Sequence, residues 1–148
     1  MDVVDKNTRS RMMANIHSKN TKPEMIIRKY LFKEGFRYRI HYRQLPGKPD
    51  IVLKKYKAVI FIHGCFWHRH DCKYFKWPKS RETFWRDKLN KNASNDITNI
   101  LKLKDLKWRV CVIWECALRE SRDNYETIIK TLVNWLKSSN SDFLEVKS

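Results

Sequence analysis

The chain has no run of about 18 apolar residues, the length a bilayer-spanning helix requires. Its opening residues, Met1-Asp2-Val3-Val4-Asp5-Lys6, lack the apolar stretch of a secretory signal. These absences predict a cytoplasmic protein without membrane contact. No segment repeats another. Cysteine is sparse: four residues, which in a reducing compartment read as thiols or metal ligands rather than disulfides. Acidic residues are outnumbered two to one, 16 Asp and Glu against 32 Lys and Arg, giving a net charge of +16. Solubility alone calls for a charge of only about 2 to 8 on a small domain, so the excess favours a polyanionic partner. The positive residues run from Arg9 to Lys147 and do not form a tail, which points to nucleic acid.

What the chain does hold is bulk for one core, with six Trp, seven Phe and six Tyr among 148 residues. Residues 1–18 are polar and basic, and read as an arm that contacts DNA. Its Met13 is either a core contact or a flexible apolar probe for a groove. A single domain is expected over 19–137, followed by a loose tail over 138–148. Thr21-Lys22-Pro23-Glu24 starts a helix with Thr21 as cap and Glu24 three residues on; the helix stops at Gly35. Phe36 to Tyr42 alternates aromatic with basic residues, predicting a strand with one buried face. The turn Leu45-Pro46-Gly47-Lys48-Pro49 follows it.

Strands are predicted at 50–53, 58–62 and 109–114, the second apolar on both faces and therefore central. Between the last two, 80–106 reads as helix in two pieces broken near Asn92 to Asn95, with Ile97, Ile100, Leu101 and Leu106 turned inward. A closing helix covers 125–136. The order predicts an α/β domain with a mixed central sheet flanked by helices.

The densest chemistry lies in His63-Gly64-Cys65-Phe66-Trp67-His68-Arg69-His70-Asp71-Cys72, directly after the apolar strand. Cys65, His70 and Cys72 offer three ligands for a tetrahedral zinc, and Cys116 after the 109–114 strand is the candidate fourth; spacing alone leaves His68 open in place of His70. His63 and His68 can bind a phosphate or act as a general base near neutral pH. Asp50 opens a strand after a tight turn. Its carboxylate is either a turn residue or an oxygen ligand for a hard cation such as Mg²⁺. Glu24 either completes a helix cap or joins Asp50 and His63 at one end of the sheet. Phe66-Trp67 and Phe84-Trp85 stand among basic residues, a pattern suited to stacking on bases while the charges hold phosphates; Phe84 and Trp85 also fit ordinary core packing.

In combination, 45–50 (Leu-Pro-Gly-Lys-Pro-Asp), 63–68 (His-Gly-Cys-Phe-Trp-His) with Cys72, Phe84-Trp85 and 112–116 (Val-Ile-Trp-Glu-Cys) resemble the very-short-patch repair DNA mismatch endonucleases. Asp5, Thr8-Arg9-Ser10 and Glu24 extend the resemblance over nearly all of the chain up to about residue 120. It implies a restriction-endonuclease-like core and a Mg²⁺-dependent nick 5′ to the thymine of a T:G mismatch left by 5-methylcytosine deamination. By the same resemblance, Asp50 and the Ile62 carbonyl hold Mg²⁺, His68 is the general base, His63 contacts the scissile phosphate and Glu24 supports the centre. Cys65, His70, Cys72 and Cys116 hold a structural Zn²⁺. Phe66, Trp67 and Trp85 wedge beside the mismatch, Met13 approaches from the other groove, and Lys88 and Asn92 read the mispair.

The family commonly has threonine where this chain has Ile62, which a carbonyl ligand tolerates. Restriction-type nucleases in general carry an acidic residue and a lysine where Phe61-Ile62-His63 stands here, so the chemistry rests on histidines. A monomer is expected, with mismatched duplex DNA as partner and contact with mismatch-repair proteins implied. Two other readings of the residues stay open. One is a sequence-directed restriction-type endonuclease on the same scaffold, and the other is a zinc-stabilised DNA-binding module without catalysis.

Overall fold

The structure, a computed structural model, describes residues 21–148; the expected arm over 1–18, with Met13, lies outside the described residues. Helix α1 (Lys22–Lys33) begins after Thr21 with proline in its first turn, where a missing N–H costs nothing. Thr21 makes no side-chain capping bond, and Glu24 turns onto Arg28 one helical turn later, so the predicted capping box is incomplete. Gly35, at φ +92°, ends the helix as expected.

Five strands form one mixed sheet in the order β1-β2-β3-β4-β5: β1 (Arg39–Ile40), β2 (Ile51–Leu53), β3 (Ala58–His63), β4 (Arg109–Trp114) and β5 (Phe143–Val146). The first three run antiparallel, while β3, β4 and β5 are parallel neighbours. β3 is central because its side chains are apolar on both faces. Ala58 and Ile60 pack with Ile27 and Leu31 of α1 and with Leu132 and Trp135 of the closing helix α4 (Glu126–Ser138), whereas Val59 and Phe61 pack with Leu103 of the long helix α2 (Glu82–Asp105). Ile60 is fully buried, and truncating it to alanine costs about 2–5 kcal/mol.

Three expectations give way. The strand over 36–42 shrinks to two exposed residues, because only Phe36 of that stretch is buried. The tail over 138–148 is not loose: β5 pairs with β4, and the Arg109 guanidinium donates to the carbonyls of Trp135, Leu136, Ser139 and Ser141, tying the end of α4 to the approach of β5. α2 runs unbroken through Asn92 to Asn95. Its inner side carries Leu89, Asn92, Asp96, Ile100 and Leu103, leaving Ile97, Leu101 and Leu106 at 62, 56 and 52 % exposure. The inner stripe is polar at its centre since that part faces a site rather than the core. Among the described residues, no helix is long and apolar enough to cross a membrane.

Candidate active site and metal centre

The parallel pairing of β3 with β4 sets His63 beside Trp114, so the loop leaving β3 and helix α3 (Glu115–Glu120) leaving β4 emerge together at one end of the sheet. Asp50 enters β2 at that same end. Its Oδ2 accepts the Ile62 N–H at 2.7 Å, which fixes the carboxylate against β3. Burial raises its pKa from 3.8 to about 6, opposed by that hydrogen bond and by the positive field of Arg28. Gly47, at φ +76°, lets the preceding turn pack close: a Cβ there would stand 3.0 Å from Asn99 and 3.1 Å from the Phe61 ring.

His63 is 5 % exposed, boxed by Phe61, Trp114 and the ring of His68, which stacks on it at 3.8 Å and 9°. The Nδ1 of His68 meets Asp96 Oδ2 of α2 at 2.6 Å. That contact orients the imidazole and leaves its Nε2 as the atom able to exchange a proton. Glu24 and Arg28 form a buried ion pair on α1, and Arg28 carries a guanidinium whose field reaches Asp50. Asp50, His63, His68, Asp96 and Glu24 all line one cavity of about 1290 Å³. Three carboxylates and two imidazoles, one of them oriented by an acid, around a cavity of that size can hold a cation, contact a phosphate and remove a proton from water.

The second cluster lies behind Trp114. The ligand atoms of Cys65, His70, Cys72 and Cys116 fall within 4.8 Å of one another, with Cys65 Sγ and Cys116 Sγ each 3.5 Å from His70 Nδ1. A tetrahedral zinc with one imidazole and three thiolates demands S···N edges of about 3.6 Å, so the donor set fits in number, chemistry and spacing. The Cys116 N–H points at Cys65 Sγ at 3.3 Å and the Ser148 N–H at Cys116 Sγ at 3.5 Å, contacts that favour thiolates. Without a cation, burial pushes the Cys65 thiol up and holds the His70 imidazole down toward its neutral form. His70, and not His68, joins this cluster. The ambiguity left by spacing is resolved by the pairing of His68 with Asp96.

Phe66, Trp67 and Trp85 form a half-buried triangle of edge contacts with centroids 5.3 to 5.9 Å apart. Asn92 donates to the Trp67 carbonyl at 3.0 Å, so its amide holds the loop; Lys88 is exposed beside it on α2. Sequence reasoning missed Arg28, Asp96 and Trp114. Arg28 had a signal, one turn from Glu24. Asp96 was hidden by the assumed helix break: on a continuous helix Asn92 and Asp96 share a face, and both reach the 63–72 loop. Trp114 stood as an ordinary buried strand residue.

Comparison with known proteins identifies the family. A family model described as DNA mismatch endonuclease Vsr matches residues 1–74. The DNA mismatch endonuclease Vsr of Escherichia coli K12 is 42 % identical over 136 residues, covering 91 % of this chain and 87 % of its own. The type II nicking enzyme V.NmeAIP of Neisseria meningitidis serogroup A is 50 % identical over 118 residues, 80 % of this chain and 84 % of its own. The type II nicking enzyme V.XorIIP of Xanthomonas oryzae is 42 % identical over 109 residues, 74 % and 80 % of the two chains. With a nuclease-like centre and relatives of this kind along most of its length, the chain belongs to the Vsr family of DNA mismatch endonucleases.

Proposed function

We propose that this protein is an endonuclease that nicks one strand of duplex DNA 5′ to the thymine of a T:G mismatch and so opens a repair tract. The observation that carries the reading is the convergence of Asp50, His63 and the His68–Asp96 pair on one cavity in a chain of net charge +16. Asp50 and the Ile62 carbonyl would hold Mg²⁺, and a carboxylate that burial keeps partly protonated near pH 6 fits a site completed by a cation. Bound there, Mg²⁺ supplies positive charge to the phosphate during in-line displacement.

His68 accepts a proton from the attacking water while Asp96 stabilises the imidazolium that forms. His63 contacts the scissile phosphate from its box of rings, and Arg28, held by Glu24, turns its positive charge toward Asp50. Cys65, His70, Cys72 and Cys116 would hold Zn²⁺ as a closed, structural site. Phe66, Trp67 and Trp85 wedge beside the mismatch, with Lys88 and Asn92 at the mispair and Met13 as the probe from the opposite groove. The mixed sheet flanked by helices is read as a restriction-endonuclease-like core. A cytoplasmic monomer that contacts mismatch-repair proteins completes the proposal.

Incubating the protein and Mg²⁺ with duplexes that carry a single T:G pair in varied contexts, and mapping the cut, tests it. A nick 5′ to the mismatched thymine supports the reading. Cleavage of matched duplex at fixed sequences would make it a restriction-type enzyme, and binding without cleavage a DNA-binding module.

A further inference from the structure

Trp114 stands between the two clusters and touches both. One face of its indole stacks on His70 at 3.9 Å and 5°, and its ring meets His63 edge-on at 5.1 Å and His68 at 6.3 Å. It is 8 % exposed, and a largely buried indole N–H favours a hydrogen-bond partner, here at the solvent-exposed margin of the sheet. The partner is Glu145 of β5, whose Oε2 accepts from Trp114 Nε1 at 2.8 Å. The sheet register explains the reach: Glu145 lies opposite Val112 and Val146 opposite Ile113, which carries the Glu145 side chain along the edge toward the end of β4. A charged acceptor on a buried indole N–H is a strong and directional bond.

An indole has two side-chain torsions; packing against His70 already confines them, and the Glu145 bond fixes the direction in which the N–H edge points. His63 and His68 both meet the indole at its edge, His63 the more closely, while Asp96 also holds His68. Any turn of Trp114 therefore changes where the two imidazoles stand. We propose that Glu145 and Trp114 form a positioning clamp for the nicking reaction: the last strand of the sheet locks the indole, and the indole fixes the wall on which the His63–His68 stack is built. This rests on the nicking function given above and names residues that take no part in the chemistry. Its consequence is kinetic, since a displacement of about 1 Å in a catalytic group can cost about a hundredfold in rate while substrate binding is untouched.

The experiment compares wild type with Glu145→Leu, which keeps side-chain bulk without an acceptor, and Glu145→Gln, which keeps a carbonyl acceptor without charge. Steady-state nicking of a T:G duplex and NMR of the histidine ring protons, displaced by the ring current of the indole, are measured side by side, with melting temperature and bound zinc as controls. Glu145→Leu should lower kcat by about tenfold to a hundredfold with KM within about twofold, and move the His63, His68 and His70 ring signals. Glu145→Gln should restore most of kcat and return the ring signals toward wild type. Unchanged kcat and unmoved ring signals in Glu145→Leu would overturn the clamp. So would a loss of kcat that Gln fails to restore and that tracks a collapse in melting temperature or zinc content. If wild type itself does not nick the duplex, the functional reading fails, and the ring signals still decide whether Glu145 sets the imidazole positions.

Discussion

At the scale of the residue, the site is governed by how burial and fixed partners bias ionisation. Asp50 is raised to about 6 by burial, so in the metal-free protein its protonated form is favoured on folding. Stability from this group is fully present below the ordinary carboxylate value of 3.8 and is lost as pH rises through about 6. Thermal unfolding of metal-free protein from pH 4 to 7 should show that decline, and Asp50→Asn should flatten it. Added Mg²⁺ should lower the Asp50 titration seen by NMR, and Asp50→Asn should remove nicking while leaving the fold intact. Retained nicking in that variant refutes the metal role. His68→Ala should slow the reaction by at least about a hundredfold with zinc content unchanged. Loss of zinc instead would move His68 into the thiol cluster.

At the scale of the element, most of the centre was legible and its supports were not. Asp50, His63, His68, Cys65, His70 and Cys72 stand in short motifs at strand ends, where composition marks them as candidates, while Cys116 and the choice of His70 over His68 needed more than spacing. Asp96 and Glu145 come from a helix and a strand far along the chain: the helix between β3 and β4 brings Asp96 to His68, and the pairing of β5 with β4 brings Glu145 to Trp114. α2 was misread because its inner stripe is polar in the middle, so of the four apolar residues expected inward only Ile100 packs there. The same stripe now gives a test: Asn92→Ala should loosen the 63–72 loop and weaken discrimination between T:G and matched duplex, with a cost in melting temperature smaller than that of Leu89→Ala. Equal discrimination would confine Asn92 to the helix. Stripping zinc should destabilise the protein, and Cys116→Ser should bind the ion markedly more weakly, as elemental analysis and chelator competition would report.

Across the whole molecule, the proposed division of labour is that +16 spread over 148 residues supplies DNA affinity and the aromatic triangle supplies choice. DNA affinity should fall steeply and linearly on a log scale with salt. Trp67→Ala should lower binding to T:G duplex far more than to matched duplex, because a wobble pair yields more easily at the neighbouring step and the inserted ring recovers roughly 1 to 3 kcal/mol of stacking. Parallel loss on both duplexes would leave Trp67 a source of general affinity alone.

The parallel junction of β3 with β4 also orders events in time. Cys65 and Cys116 are 51 positions apart, and Glu145 follows Trp114 by another 31. Contacts of such long sequence separation form late, after the local helices and the 51–62 hairpin. A chain still emerging from the ribosome therefore carries Asp50, His63 and His68 before it has the partners that aim them. If β5 docks last, the hold of Glu145 on Trp114 is the last support the centre receives, and the expected gain is the roughly tenfold to hundredfold in kcat that Glu145→Leu would forfeit.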